Sequence, residues 1–413
     1  MSKPPPAFHV MIKPRGAICN LDCAYCFYLT KEQLFPEGSF RMSDAVLESF
    51  TRQYIQAQQV PEVTFAWQGG EPTLMGLEFF ERAVALQQRY CPPGMKVFNS
   101  FQTNATLIDE EWARFFRRHD FLLGVSLDGP ANLHDLYRRD KGGAPTHARV
   151  LAGIDHLKRH GVQFNILACV NDQTVQHPLE VYCHFRDEIG AHFIQFIPIV
   201  EVLDPASGTA SPRSVSGPAY GRFLNAVFDE WVRRDVGRVY IQIFDTALGI
   251  WSGQPAGLCV FAPTCGTGLA LEHTGDLYAC DHYVTPPYHL GNILQTPLAT
   301  LVAAPRQVQF GQAKKTALPR QCWECPVLFA CRGACPKDRI LTTSKGEPGL
   351  NYLCAGYKSF FSHIDAPMRH MAELLRQRRP PADIMLEIPP KTGRKRHSPL
   401  LSNRDEIPPY KHS

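Results

Sequence analysis

Short apolar runs alternate with amphipathic stretches from about residue 8 to 235. The runs "FHVMIK", "EVTFAWQ", "KVFNSFQT", "FLLGVSLD", "QFNILACV" and "HFIQFIPIV" have strand length. Between them, "SDAVLESFTRQYIQAQ", "LEFFERAVALQQRY", "IDEEWARFFRRH", "THARVLAGIDHLKRH" and "PLEVYCHFRDEIG" carry helical patterns, and "YGRFLNAVFDEWVRR" follows the last strand. Such alternation builds βαβ units and a parallel sheet. Six units predict an α/β fold, an open partial (β/α)6 barrel over residues 1–235, with its chemistry at the C-terminal ends of the strands. A Pro/Ser/Gly-rich loop is expected at 201–219. After residue 236 the alternation stops, and 236–377 read as a second, cysteine-rich domain. It contains the hairpin-like "LALEHTGDLYACD", a helix around "TPLATLVAAPRQVQF" and a final helical segment at about 355–377. From 378 to 413 the chain is rich in proline and charge, which predicts a disordered tail.

Composition narrows the class. The chain has 413 residues, 44% of them hydrophobic, enough for a buried core. No apolar run approaches the roughly 18–20 residues that cross a bilayer. The N-terminus lacks a signal-peptide pattern, so a cytoplasmic protein without membrane contact is expected. A net charge of +4, evenly spread, does not suggest a nucleic-acid binder. Fourteen cysteines in a reducing compartment point to metal sites rather than disulfides. All but Cys91, Cys169 and Cys183 are grouped, and those three read as small buried hydrophobes.

The first group, Cys19, Cys23 and Cys26 in "ICNLDCAYCFYL", has Cys-x-x-x-Cys-x-x-Cys spacing just after the first strand. Three thiolates can hold three irons of a 4Fe–4S cube and leave the fourth open for an amine and a carboxylate. Zinc would need a fourth ligand, and His9 is the nearest histidine. With Tyr25 before the last cysteine and "WQGGEP" after the second strand, residues 8–200 resemble the radical S-adenosylmethionine superfamily. The resemblance assigns the S-adenosylmethionine amino group to Gly69, Gly70 and Glu71. A buried ammonium needs such acceptors, and Gly-Gly lets the backbone come close. The cofactor's carboxylate needs a donor and a cation. Ser126 ends the fourth strand in "VSLDGP", and Arg138 in "HDLYRRD" is favoured over Arg149 as the cation. The family also places main-chain contacts to adenine near Ile199.

The second half reads Cys265-x9-Gly275-x4-Cys280, then Cys322-x2-Cys325-x5-Cys331-x3-Cys335, then Cys354, with Cys259 six residues before Cys265. It resembles the SPASM pattern with one extra ligand, although zinc ribbons could also use Cys322 and Cys325. Eight thiolates saturate two further 4Fe–4S clusters, giving three in all. The resemblance assigns Cys259, Cys265, Cys280 and Cys335 to one cluster, and Cys322, Cys325, Cys331 and Cys354 to the other. "CAYCFYL", "WQGGEPTLMG", "NSFQTNATLID" and "ACDHYV" are most similar to one subgroup, the anaerobic sulfatase-maturating enzymes.

That subgroup resemblance implies oxidation of a sulfatase cysteine or serine to Cα-formylglycine. It makes Asp281 the general base and places Tyr28 and Gln68 in the peptide pocket. A carboxylate is a poor pKa match for a thiol or alcohol; burial would raise Asp281, and proton loss is expected to follow or accompany hydrogen abstraction. The partners implied are an unfolded sulfatase polypeptide and a flavodoxin or ferredoxin donor, with the enzyme acting as a monomer. Another SPASM peptide maturase, forming thioether or carbon–carbon crosslinks, is the alternative. It is disfavoured because the barrel begins by residue 8, leaving no room for a peptide-recognition domain. A non-catalytic iron–sulfur carrier is disfavoured by the intact Gly-Gly-Glu turn.

Overall fold

The computed structural model describes residues 7–36, 38–204 and 207–388. All six expected strands form: β1 (His9–Lys13), β2 (Glu62–Trp67), β3 (Lys96–Thr103), β4 (Phe121–Ser126), β5 (Phe164–Val170) and β6 (Phe193–Pro198). They pair in parallel and in chain order. Helices α1 (Asp44–Ala57), α2 (Leu77–Tyr90), α3 (Glu110–Arg118), α4 (Ala131–Tyr137), α5 (His147–Arg159), α6 (Pro178–Cys183) and α7 (Gly217–Arg234) connect or follow them. Their apolar faces fall at helical spacing; α1 buries Val46, Leu47, Phe50, Tyr54 and Ile55. Polar caps set where helices start. Ser43 Oγ accepts from the Val46 N–H at 3.3 Å, and Asp109 accepts from the Glu111 and Trp112 N–H groups at 3.0 Å.

The sheet continues past the boundary expected at residue 236. After the small hairpin of β7 (Val202–Asp204) and β8 (Thr209–Ala210), β9 (Tyr240–Ile241) joins β6 in parallel, and α8 (Gln242–Trp251) follows. Then β10 (Gly268–Glu272) returns to pair in parallel with β1. The expected hairpin forms between β10 and β11 (Asp276–Tyr278), and β12 (His289–Asn292) completes a ten-stranded sheet. The physical reason is the β1 edge, whose N–H and C=O groups would otherwise lack partners on one side. The register sets Lys13 at the end of β1 opposite Glu272 at the end of β10. The cysteine-rich half is thereby tied to the mouth of the barrel.

The helix expected around residue 305 splits into α9 (Leu298–Val302) and α10 (Pro305–Thr316), because Pro305 has no N–H to continue the first. Beyond it lie α11 (Arg320–Trp323), α12 (Leu328–Cys331), β13 (Leu341–Thr342), β14 (Pro348–Leu350), α13 (Cys354–His363) and α14 (Asp365–Arg376). No helix among the described residues is long and apolar enough to cross a membrane.

The disordered tail expected from residue 378 needs correction over its first part. Residues 381–383 form a helical turn, and α15 (Ile384–Glu387) packs on α7 and α14. Ile384 is 2% exposed, so an apolar side chain outweighs the proline-rich composition locally. The rest of that expected tail, 389–413, lies outside the described residues. Ile384→Ala should destabilise the chain by about 2–5 kcal/mol, read as a fall in denaturant midpoint at unchanged slope.

Candidate functional site

The first three cysteines follow β1 on a loop, and the structure brings them together: Cys19, Cys23 and Cys26 interact electrostatically with one another. Cys19 Sγ accepts from the Leu21 N–H at 3.4 Å and from Asn104 Nδ2 at 3.6 Å. Burial pushes the Cys19 thiol up to about 11 and the Cys23 thiol up to about 12. Thiols placed this way lose their protons readily only to a cation that replaces water, as cluster iron does. The donor set therefore fits a cluster.

The Gly-Gly-Glu turn closes over this loop. The Gly70 N–H donates to Gly16 O at 2.7 Å, and the Glu71 N–H donates to Ile18 O at 2.9 Å. A Cβ at Gly70 would lie 2.0 Å from Ile18 O, so only glycine permits the approach. Gly69 has φ +128° and lies against the Gly16 carbonyl. The Glu71 carboxylate, 1% exposed, is already committed within the protein. Oε1 accepts from the Thr73 N–H at 3.1 Å, Thr73 Oγ1 at 2.8 Å and Thr103 Oγ1 at 2.9 Å, while Oε2 accepts from the Asn104 N–H at 2.8 Å. Glu71 thus ties the turn to the end of β3, and through Asn104 to Cys19. Thr103 and Asn104 were not singled out from the sequence, although "QTNAT", running off the end of the third strand, was a signal.

On the far side, Ser126 ends β4 and its Oγ accepts from Gln102 Nε2 at 3.0 Å. Arg138 Nε donates to Asp128 Oδ2 at 2.9 Å, and Nη2 lies 3.6 Å from Cys169 Sγ. The Tyr25 hydroxyl shares the same Asp128 oxygen. Arg138 is buried and acts electrostatically on Cys23. Arg149 instead lies at the surface, paired with Asp140 at 2.7 Å. Ile199 follows β6; its N–H donates to Val170 O at 2.9 Å and its carbonyl accepts from the Val215 N–H at 3.0 Å.

The β1–β10 seam forms another polar cluster. Asp281 directly follows Cys280, and its Oδ1 lies 2.6 Å from Lys13 Nζ. Lys13 also donates to Gln68 Oε1 at 3.3 Å and sits 4.4 Å from the centre of the Tyr28 ring. The Tyr28 hydroxyl donates to Glu272 Oε1. Burial pushes the Asp281 carboxyl up, but Lys13, His282 and Lys31 more than offset it, leaving its pKa below the ordinary value. The expectation that burial would raise Asp281 is overturned by this ion pair. Lys13 and Glu272 were missed in the sequence, because only the strand pairing brings them to the site.

The eight later cysteines divide into two groups. Cys280 interacts electrostatically with Cys335 and Cys259, and Cys265 with Cys259. Cys331 interacts with Cys354, Cys322 and Cys325. The second group lines a cavity of ≈ 220 Å³. Burial pushes Cys322 up to about 11 and Cys331 and Cys335 up to about 12. The four thiols that line this cavity, Cys322, Cys325, Cys331 and Cys354, are the number that holds a cube of iron and sulfide.

A Radical SAM superfamily profile matches residues 14–185, and that of an iron–sulfur cluster-binding domain, SPASM, matches 259–326. A serine-type anaerobic sulfatase-maturating enzyme of Bacteroides thetaiotaomicron is 45% identical over 391 residues, covering 91% of this chain and 94% of its own. A cysteine-type enzyme of Clostridium perfringens is 35% identical over 363 residues, covering 87% of this chain and 96% of its own. The solved structure of anSMEcpe with bound AdoMet and a Cp18Cys peptide superposes with a TM-score of 0.80 at 34% identity, over 90% of this chain and 100% of that one. Sequence relationship over nearly the whole length and a shared fold lead to one conclusion: the chain belongs to the anaerobic sulfatase-maturating enzymes, radical SAM enzymes with a SPASM domain.

Proposed function

We propose that the enzyme oxidises a cysteine or serine of a sulfatase polypeptide to Cα-formylglycine, using three 4Fe–4S clusters and S-adenosylmethionine. The observation that carries this reading is Asp281. It is a buried carboxylate, ion-paired to Lys13 at 2.6 Å and adjacent in sequence to Cys280. When bound, the first cluster and S-adenosylmethionine supply a hydrogen-atom abstractor.

In this reading Cys19, Cys23 and Cys26 hold the first cluster. Gly69, Gly70 and Glu71 shape the turn that receives the cofactor's amino group, and Ser126 and Arg138 take its carboxylate. The main chain at the end of the last strand, near Ile199, contacts the adenine. Tyr28 and Gln68 form the peptide wall. Converting the substrate side chain to an aldehyde or thioaldehyde removes two electrons and two protons. One hydrogen atom leaves from Cβ. Asp281 accepts the proton of the substrate hydroxyl or thiol, and auxiliary clusters held by Cys259, Cys265, Cys280 and Cys335 and by Cys322, Cys325, Cys331 and Cys354 would supply the acceptor for the remaining electron. Lys13 keeps Asp281 ionised and therefore able to accept. An ionised carboxylate of lowered pKa is a weak base toward a resting thiol or alcohol. Proton loss therefore accompanies or follows abstraction, when the neighbouring S–H or O–H has become far more acidic. A cysteine-derived thioaldehyde then hydrolyses and releases sulfide.

A flavodoxin or ferredoxin supplies the electrons, and the enzyme works as a monomer. Identity is higher to the serine-type relative than to the cysteine-type one, 45% against 35%, so serine is the first substrate to test. The test is anaerobic incubation with serine- and cysteine-containing sulfatase peptides, read by mass spectrometry. Loss of two mass units from the serine peptide, with an aldehyde that a hydrazine reagent captures, supports the reading. Robust 5′-deoxyadenosine formation with a crosslinked peptide and no aldehyde overturns it.

The two candidate arginines separate in a binding experiment. Arg138→Lys keeps Asp128 paired but removes the guanidinium fork. Its affinity for S-adenosylmethionine, measured by anaerobic titration, should fall about 10-fold, or roughly 1.4 kcal/mol. Arg149→Ala, at the surface, should leave that affinity unchanged.

A further inference from the structure

Between Cys331 and Cys335 the backbone does something unusual. Arg332, Gly333 and Ala334 have φ values of 51°, 71° and 49°, three consecutive residues in the left-handed region. Two of them carry side chains that disfavour this conformation, so it persists only where surrounding structure imposes it. The structure that imposes it is the Arg339 side chain. Its Nε donates to Gly333 O at 3.0 Å, and Nη2 lies 3.4 Å from both Arg332 O and Ala334 O. Nη1 donates to Lys314 O in α10 at 2.7 Å. One planar fork of five N–H donors thus gathers three successive carbonyls and anchors them to a helix. A Cβ at Gly333 would lie 2.8 Å from Arg339 Nη2, which shows how closely the guanidinium is seated.

The turn held this way joins the two thiol groups, with Cys331 in one and Cys335 in the other. The guanidinium acts electrostatically on both, on Cys322 and Cys331 and on Cys335 and Cys265. Among the described residues its hydrogen-bond partners are all main-chain carbonyls, so no carboxylate bonded to it offsets its charge. Lys314, by comparison, acts on Cys259, Cys265 and Cys335, all of one group.

We infer that Arg339 is a positioning residue shared by both auxiliary clusters. It holds the left-handed turn that presents Cys331 to one cluster and Cys335 to the other, and its positive charge favours the reduced state of both. The inference rests on the two-auxiliary-cluster reading. A positive charge near a cluster stabilises an added electron, so its removal moves the midpoint potential in the negative direction.

The test uses the full chain with Cys19, Cys23 and Cys26 replaced by alanine, so that only auxiliary clusters report. After anaerobic reconstitution, iron and sulfide are counted and each cluster's potential is followed by electron paramagnetic resonance. About 8 iron in this background supports the underlying reading, and about 4 or fewer overturns it before Arg339 is touched. Arg339→Gln should then shift both potentials negative, or lower the iron held at both sites. If that variant fails to fold by circular dichroism, Arg339→Lys is judged by the same criterion. Lysine cannot span the carbonyls and places its charge elsewhere, so both clusters should still respond. A response confined to one cluster, or none at full iron load, overturns the shared role.

Discussion

Replacing Cys19, Cys23 and Cys26 together with alanine will abolish cleavage of S-adenosylmethionine. On the three-cluster reading it will also lower the reconstituted iron from about 12 to about 8 per chain. The three thiols converge on one loop and have no role in the sheet. Burial raises the proton affinity of Cys19 and Cys23, so without iron these two are neutral thiols that alanine replaces at little cost to packing. The variant should therefore fold and keep its remaining clusters. Iron and sulfide analysis with a 5′-deoxyadenosine assay checks both halves. A wild-type load near 4 with zinc present would remove the two auxiliary clusters from the proposal, and residual cleavage by the variant would remove the first.

Asp281→Asn should lower formylglycine formation by about 100-fold or more, the usual scale for a positioned base. The side chain keeps its size and loses its basicity. In the proposed mechanism cofactor cleavage depends on the cysteine loop and the Gly-Gly-Glu turn and not on Asp281, so 5′-deoxyadenosine should still form. Deuterium placed at the substrate Cβ can still enter it. The ion pair complicates the variant in a predictable way. Removing one partner of a buried pair costs about 3–5 kcal/mol, here by leaving Lys13 without Asp281. Retained cofactor cleavage is therefore the control for folding. Near-normal aldehyde would remove Asp281 from the mechanism, while joint loss of aldehyde and cofactor cleavage would make it structural. The sign of the pH effect also follows. Asp281 is held below its ordinary pKa, so its contribution to stability is present at neutral pH and lost only as acid protonates it.

Much of the fold was legible because the signals are local. Strand runs and helical periods over residues 8–235 each report on their own segment, and all six barrel strands formed where the pattern placed them. The limits appeared where distant segments meet. The pairing of β10 with β1 joins residues some 260 positions apart, and no local period announces it. Ile384 lies in a proline-rich stretch whose composition favours disorder, yet one buried side chain keeps that turn on α7.

The sequence by itself determined the chemistry of the donors. The spacing of Cys19, Cys23 and Cys26 keeps those three thiols within reach of one another, because a few residues span only a few ångströms, whereas the division of the eight later cysteines was implied by the family resemblance and not by spacing. Gly69 and Gly70 could be read in the same way, since only glycine tolerates the approach to Gly16 and Ile18. Tertiary structure alone decided the electrostatics. It placed Lys13 on Asp281, committed Glu71 to the end of β3, seated Arg138 beside Cys23 while leaving Arg149 at the surface, and set Arg339 between the two later thiol groups. Charge interactions depend on distance through space and on burial, and neither is a property of a position in the chain.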